Sequence, residues 1–113
     1  MAKITVLVVD PVRKRVYERL LGPSRGAVHT VVGAKTESWY NVWPRHALAV
    51  AERQQAGQPG WRLQVESCAD TVFHGPGVLY GVVAAGRASH GLSLAAVTSS
   101  IKWTSEDEEG TQG

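Results

Sequence analysis

Cysteine is almost missing from this chain: Cys68 is the only one in 113 residues. One thiol excludes an intrachain disulfide, a multi-cysteine zinc site and a CxxC redox pair, and beside an alternating segment it reads as a buried core residue. Long apolar runs are missing too. No window approaches the ~18 uninterrupted apolar residues of a membrane span, so no membrane partner is expected. The N-terminal apolar run meets Asp10 and Pro11 where a signal peptide would continue, and the expected location is the cytoplasm.

Chemistry-bearing patterns are equally scarce. Asp10 has no acidic company. His29, His46, His74 and His90 are not paired at short helical or strand spacing, so neither a metal nor a cofactor is expected. His74-Gly75-Pro76-Gly77 matches neither GxGxxG nor a Walker A loop and reads as a tight turn. What remains is ordinary globular material, 43% hydrophobic and 19% charged, enough for one domain with one core.

The stretch Ile4-Thr5-Val6-Leu7-Val8-Val9-Asp10-Pro11 is the longest apolar, mostly β-branched run. It reads as a strand buried on both faces, with Asp10 as its stop and as the cap of the next element. Residues 12–21 place Val12, Val16, Tyr17, Leu20 and Leu21 on one half of a helical wheel and Lys14, Arg15, Glu18 and Arg19 on the other, which predicts a helix; a second strand is the alternative. Residues 44–56 have the clearest helix composition, with Pro44 at entry, alanines within and Gly57 at exit. Residues 39–43 read as an aromatic strand with Trp39, Asn41 and Trp43 on one face. Residues 61–66 alternate as a half-buried strand. Residues 71–73 and 78–83 read as a hairpin or bent strand pair, and residues 97–103 as a final strand. The fold class expected is α+β: a single compact domain over residues 1–104, with a mixed sheet centred on the N-terminal strand and about two helices. Residues 105–113 read as an acidic disordered tail.

Charge is unevenly spread. Between Met1 and Arg62 ten basic residues face four acids, residues 63–105 are neutral, and Glu106, Asp107, Glu108 and Glu109 add four negative charges. A basic body of this kind attracts polyanions, and the tail competes for the same surface. Arg13, Lys14, Arg15 and Arg19 are candidates for phosphate or partner contacts, and Trp39, Tyr40 and Trp43 for stacking. Together with Arg45, those aromatics are also the residue types that carry protein-binding hot spots.

The function expected on these grounds is that of a non-catalytic binding or modulator protein, which occupies a host protein or nucleic acid through this basic and aromatic surface. Four tryptophans and an excess of arginine over lysine suggest an origin in a phage, plasmid or other mobile element. Two alternatives stand beside it: a sequence-tolerant nucleic-acid-binding protein, and a small hydrolase built on Cys68 and His74. The sequence assigns no oligomeric state.

Overall fold

The computed structural model describes residues 3–22, 25–33, 37–53, 57, 59–84 and 86–104. The apolar run forms strand β1 (Ile4–Asp10), in which Val6, Leu7, Val8 and Val9 are all buried. Val6 and Val8 enter one core and Leu7 and Val9 the other, so both faces of the strand are covered.

Residues 11–14 turn the chain back, and β2 (Arg15–Leu21) pairs antiparallel with β1 along its whole length, Asp10 opposite Arg15 and Ile4 opposite Leu21. This overturns the helix expected over residues 12–21. The wheel put Val12 and Leu20 in the buried half, yet they are 67% and 60% exposed, while Val16 and Leu21 are buried. A lone ten-residue helix is marginal in water, whereas β2 gains a full ladder from a partner already present.

After Gly22 the chain enters α1 (Arg25–Val32), which settles as helix a segment whose sequence is too short for periodicity to decide. The helix crosses one face of the sheet to β3 (Glu37–Trp43), which forms a hairpin with β4 (His46–Ala51). The strand β4 overturns the helix expected over residues 44–56, of which 54–56 lie outside the described residues. Alanine content favours helix, but the decisive period is two: Leu48 and Val50 join one core, and Ala47 and Ala49 join the other beneath α1. Small side chains on that face let the helix approach.

The chain then leaves this sheet. Strands β5 (Gly60–Leu63) and β6 (Phe73–His74) build a second sheet, and β7 (Gly77–Val83) returns to the first. Phe73 therefore pairs with Trp61 rather than with β7, and the hairpin expected across residues 74–77 is instead a crossing between sheets. The short strand β8 (Gly86–Ala88) pairs with β7, and α2 (Leu94–Ser99) leads to β9 (Ile101–Trp103), which pairs with β5. The final strand is thus shorter than expected, because Ser93 caps a helix by accepting from the Ala96 amide at 3.3 Å.

The first sheet has the order β2-β1-β7-β4-β3 with β8 on β7; the second is β6-β5-β9. Every pairing between described strands is antiparallel, so the sheet is not mixed in strand direction. β1 is a core strand, although β7 holds the middle position. The fold is α+β: a compact single domain whose described residues form two helices and otherwise mostly sheet, while the tail expected over residues 105–113 lies outside the described residues. One core lies between the two sheets, around Trp61, Phe73, Leu7, Leu48 and Leu79; the other lies between the first sheet and α1.

Candidate functional site

The sheet order separates the two groups of residues that the sequence singled out. Arg13, Lys14, Arg15 and Arg19 lie on the β1–β2 turn and on β2, at one edge; Trp39, Tyr40 and Trp43 lie on β3, at the other. At about 4.8 Å per strand the edges stand roughly 19 Å apart. The β1–β2 turn and the β3–β4 turn also fall at opposite ends of the sheet, because β3 runs antiparallel to β4, β4 to β7 and β7 to β1. The two groups do not form one surface.

The aromatic group is itself divided. Tyr40 packs edge-on against Phe73 at 5.1 Å, in the core between the sheets. A register shift between Asn41 and Trp43 breaks the alternation, and Trp43 packs half-buried on that same core rather than beside Trp39. Trp39 faces the other way and is 43% exposed, its ring edge-on to Tyr80 at 5.4 Å. Arg45, at the β3–β4 turn, shares an open groove of about 400 Å³ with Trp43, His46 and Val82.

The basic group stays in water. Asp10 is the organiser of this end: its Oδ1 accepts from the amides of Val12 and Arg13 at 3.1 and 3.2 Å, and its Oδ2 lies 3.5 Å from Arg13 and 4.0 Å from Arg15. The residue read as a helix cap thus caps a hairpin turn. Lys14 takes a φ of 52° there, and Arg15 stacks over the Tyr17 ring at 4.8 Å. Register places Arg15, Tyr17 and Arg19 on one face of β2 and Val16, Glu18 and Leu20 on the other. Among the described residues no second strand pairs with the outer edge of β2, and this edge with its turn carries exposed cations and the exposed side chains of Val12 and Leu20.

A polar cluster that the sequence did not reveal lies under α1. The Glu37 carboxylate is fully buried, paired with His29 of α1 and 3.9 Å from the Arg87 guanidinium of β8. That guanidinium sits over the rings of Trp39 and Tyr80, at 4.6 and 5.4 Å. Burial pushes the Tyr80 phenol up to about 12; the Arg87 cation opposes this and the Glu37 charge adds to it. Four elements supply these groups, from positions up to 58 residues apart in sequence (29 to 87), so no local motif announces them. The nearest sequence signal is the pair of small residues on β4, Ala49 and Ala47, which stand opposite Trp39 and Tyr80 in the ladders.

Cys68 is buried in the core between the sheets, its thiol 3.8 Å from the Leu63 carbonyl. Burial raises its pKa, the direction opposite to that of an activated nucleophile. His90 and His46 are held elsewhere: His90 Nε2 lies 2.8 Å from Glu18, and His46 Nε2 accepts from the Gly91 amide at 2.9 Å. Among the described residues no group of three or more His, Cys, Asp or Glu could hold a metal ion, and no helix is long and apolar enough to cross a membrane. No protein-family model matches the sequence, and neither a curated protein nor a solved structure matches the chain.

Proposed function

We propose that this chain is a non-catalytic binding protein and that the β1–β2 turn and the outer edge of β2 are its contact element. The observation that carries the reading is the open edge itself. It offers seven residues of strand backbone, the exposed cations Arg13, Lys14, Arg15 and Arg19, and the exposed side chains of Val12 and Leu20. An extended polypeptide segment with acidic side chains matches it: backbone pairing supplies affinity, and carboxylates beside Arg15 and Arg19 supply charge complementarity. A nucleic acid fits less well, because the aromatics that would stack bases lie on the opposite edge. The occupied surface would belong to a host protein, with a phage or plasmid origin and a cytoplasmic setting proposed on composition alone. The raised thiol of Cys68 favours this reading over a cysteine hydrolase.

Fluorescence anisotropy with labelled polyglutamate and with a single-stranded oligonucleotide, over a series of salt concentrations, tests it. Polyglutamate should bind, and Arg15→Glu with Arg19→Glu should weaken it at least about tenfold while the circular dichroism spectrum is kept. Unchanged affinity in the folded double variant removes β2 as the contact element. Tighter oligonucleotide binding with a steep salt slope would instead make the partner a nucleic acid.

A further inference from the structure

Strand pairing fixes which backbone groups β2 has left to offer. In an antiparallel sheet the N–H and C=O of one residue point to the same side, and successive residues alternate. The Thr5 amide donates to the Ser89 hydroxyl at 2.9 Å, and the Thr5 carbonyl accepts from the His90 amide at 3.0 Å. Ser89 follows directly on β8, which lies along β7, while β2 lies on the other side of β1. Thr5 therefore turns its backbone away from β2, and Leu20, which stands opposite it, turns its own outward. By alternation Val16 and Glu18 do the same, whereas Arg15, Tyr17, Arg19 and Leu21 bond to β1. An antiparallel strand added at this edge forms hydrogen-bonded pairs with Val16, Glu18 and Leu20, and non-hydrogen-bonded pairs with Arg15, Tyr17 and Arg19, where Cα atoms approach to about 4.5 Å rather than 5.5 Å. The closest side-chain contact thus falls on a face that presents cation, ring and cation at alternate positions, with Arg15 over the Tyr17 ring at 4.8 Å. On the other face Glu18 is already held. The Leu92 amide donates to His90 Nδ1 at 3.1 Å, so Nε2 carries the proton and donates to Glu18 at 2.8 Å. A second carboxylate opposite Glu18 meets like charge.

We infer that β2 selects an antiparallel partner strand with the pattern acid-x-apolar-x-acid. The two carboxylates stand opposite Arg15 and Arg19, the apolar residue covers Tyr17, and the uncharged residues between them hydrogen-bond to Val16 and Glu18. This rests on the reading of that edge as the contact element, and it adds what makes the contact selective. A one-residue slip moves both carboxylates away from the arginines and onto the Glu18 face, so acidic content alone is not enough.

Fluorescence anisotropy with labelled heptapeptides and the whole chain at low salt tests it. Thr-Glu-Thr-Val-Thr-Glu-Thr should bind at least about tenfold more tightly than Thr-Glu-Thr-Val-Glu-Thr-Thr, which has the same composition and charge but turns one glutamate to the opposite face. N-methylation of the third and fifth peptide residues, which stand opposite Glu18 and Val16, should weaken binding at least about tenfold, while N-methylation of the fourth, whose amide points away from β2, should leave it within about twofold. In the complex, hydrogen exchange should slow at the amides of Val16, Glu18 and Leu20 and stay as in the free protein at those of Tyr17 and Arg19. Equal affinity of the two peptides overturns the pattern, as does an equal loss on N-methylation of the fourth residue. If the pattern fails while polyglutamate still binds and Arg15→Glu with Arg19→Glu weakens it, the edge stands as the contact element and only the pattern falls; if neither heptapeptide nor polyglutamate binds, both fall.

Discussion

Gly77 shows how far one residue can be fixed by one neighbour. A Cβ built there would lie 2.8 Å from Trp61 Cζ2 and 3.1 Å from Leu48 Cδ1, so the strand can pass beneath the indole only without a side chain. Gly77→Ala should destabilise the protein by about 1–3 kcal/mol, read as a lowered urea midpoint with an unchanged slope; an unchanged midpoint would mean that the indole shifts freely. Tyr80 makes a second prediction through its phenol, held near 12 by burial. Above the ordinary value of about 10 the unfolded chain loses this proton while the folded one keeps it, so stability is full below pH 10 and falls as pH rises towards 12. Urea unfolding at pH 9 and pH 11 should show a loss that Tyr80→Phe reduces, whereas an equal loss in that variant would assign it to other groups. Glu37 belongs to the same cluster. Nothing local warns that an acid between a threonine and a serine is buried, because its partners His29 and Arg87 reach it only once α1 and β8 are in place.

At the level of elements, the two segments read as helices are strands, and the physical reason is the same in each. Residues 12–21 and 44–56 have helix-compatible composition, but local preference is worth tenths of a kcal/mol per residue and yields to pairing with a neighbour. β2 has β1 beside it after a four-residue turn, and β4 lies between β3 and β7, buried on both faces. The turns record what this arrangement costs. Arg45 comes directly after Pro44 with a φ of 60°, a conformation that favours glycine, while its carbonyl accepts from the Val82 amide at 2.7 Å and ties the turn to β7. Arg45→Gly should relieve the strain and, after glycine's own entropy, leave the protein up to about 1 kcal/mol more stable in thermal unfolding. A destabilised variant would show instead that the arginine side chain holds the turn.

Taken as a whole, the molecule is held by a core that spans both sheets. Trp61, Phe73, Cys68 and Ile101 from the smaller layer interlock with Leu7, Val9, Leu48 and Leu79 from the larger one, so neither sheet has a separate apolar interior on that side. Unfolding followed by tryptophan fluorescence and by far-UV circular dichroism should therefore give coincident urea transitions; separated midpoints would mean that the second sheet melts on its own. By itself the sequence determined the β1 strand, the α+β class, the buried state expected of Cys68 and the uneven spread of charge, because each depends on composition or on a run of neighbouring residues. Only the tertiary structure decided which face each segment buries. It placed Trp39, Tyr40 and Trp43 on the edge opposite the basic strand, through a sheet order and a bulge that involve residues far apart in the chain. It likewise assembled His29, Glu37, Tyr80 and Arg87, since a buried charge is tolerated only where distant partners arrive to meet it.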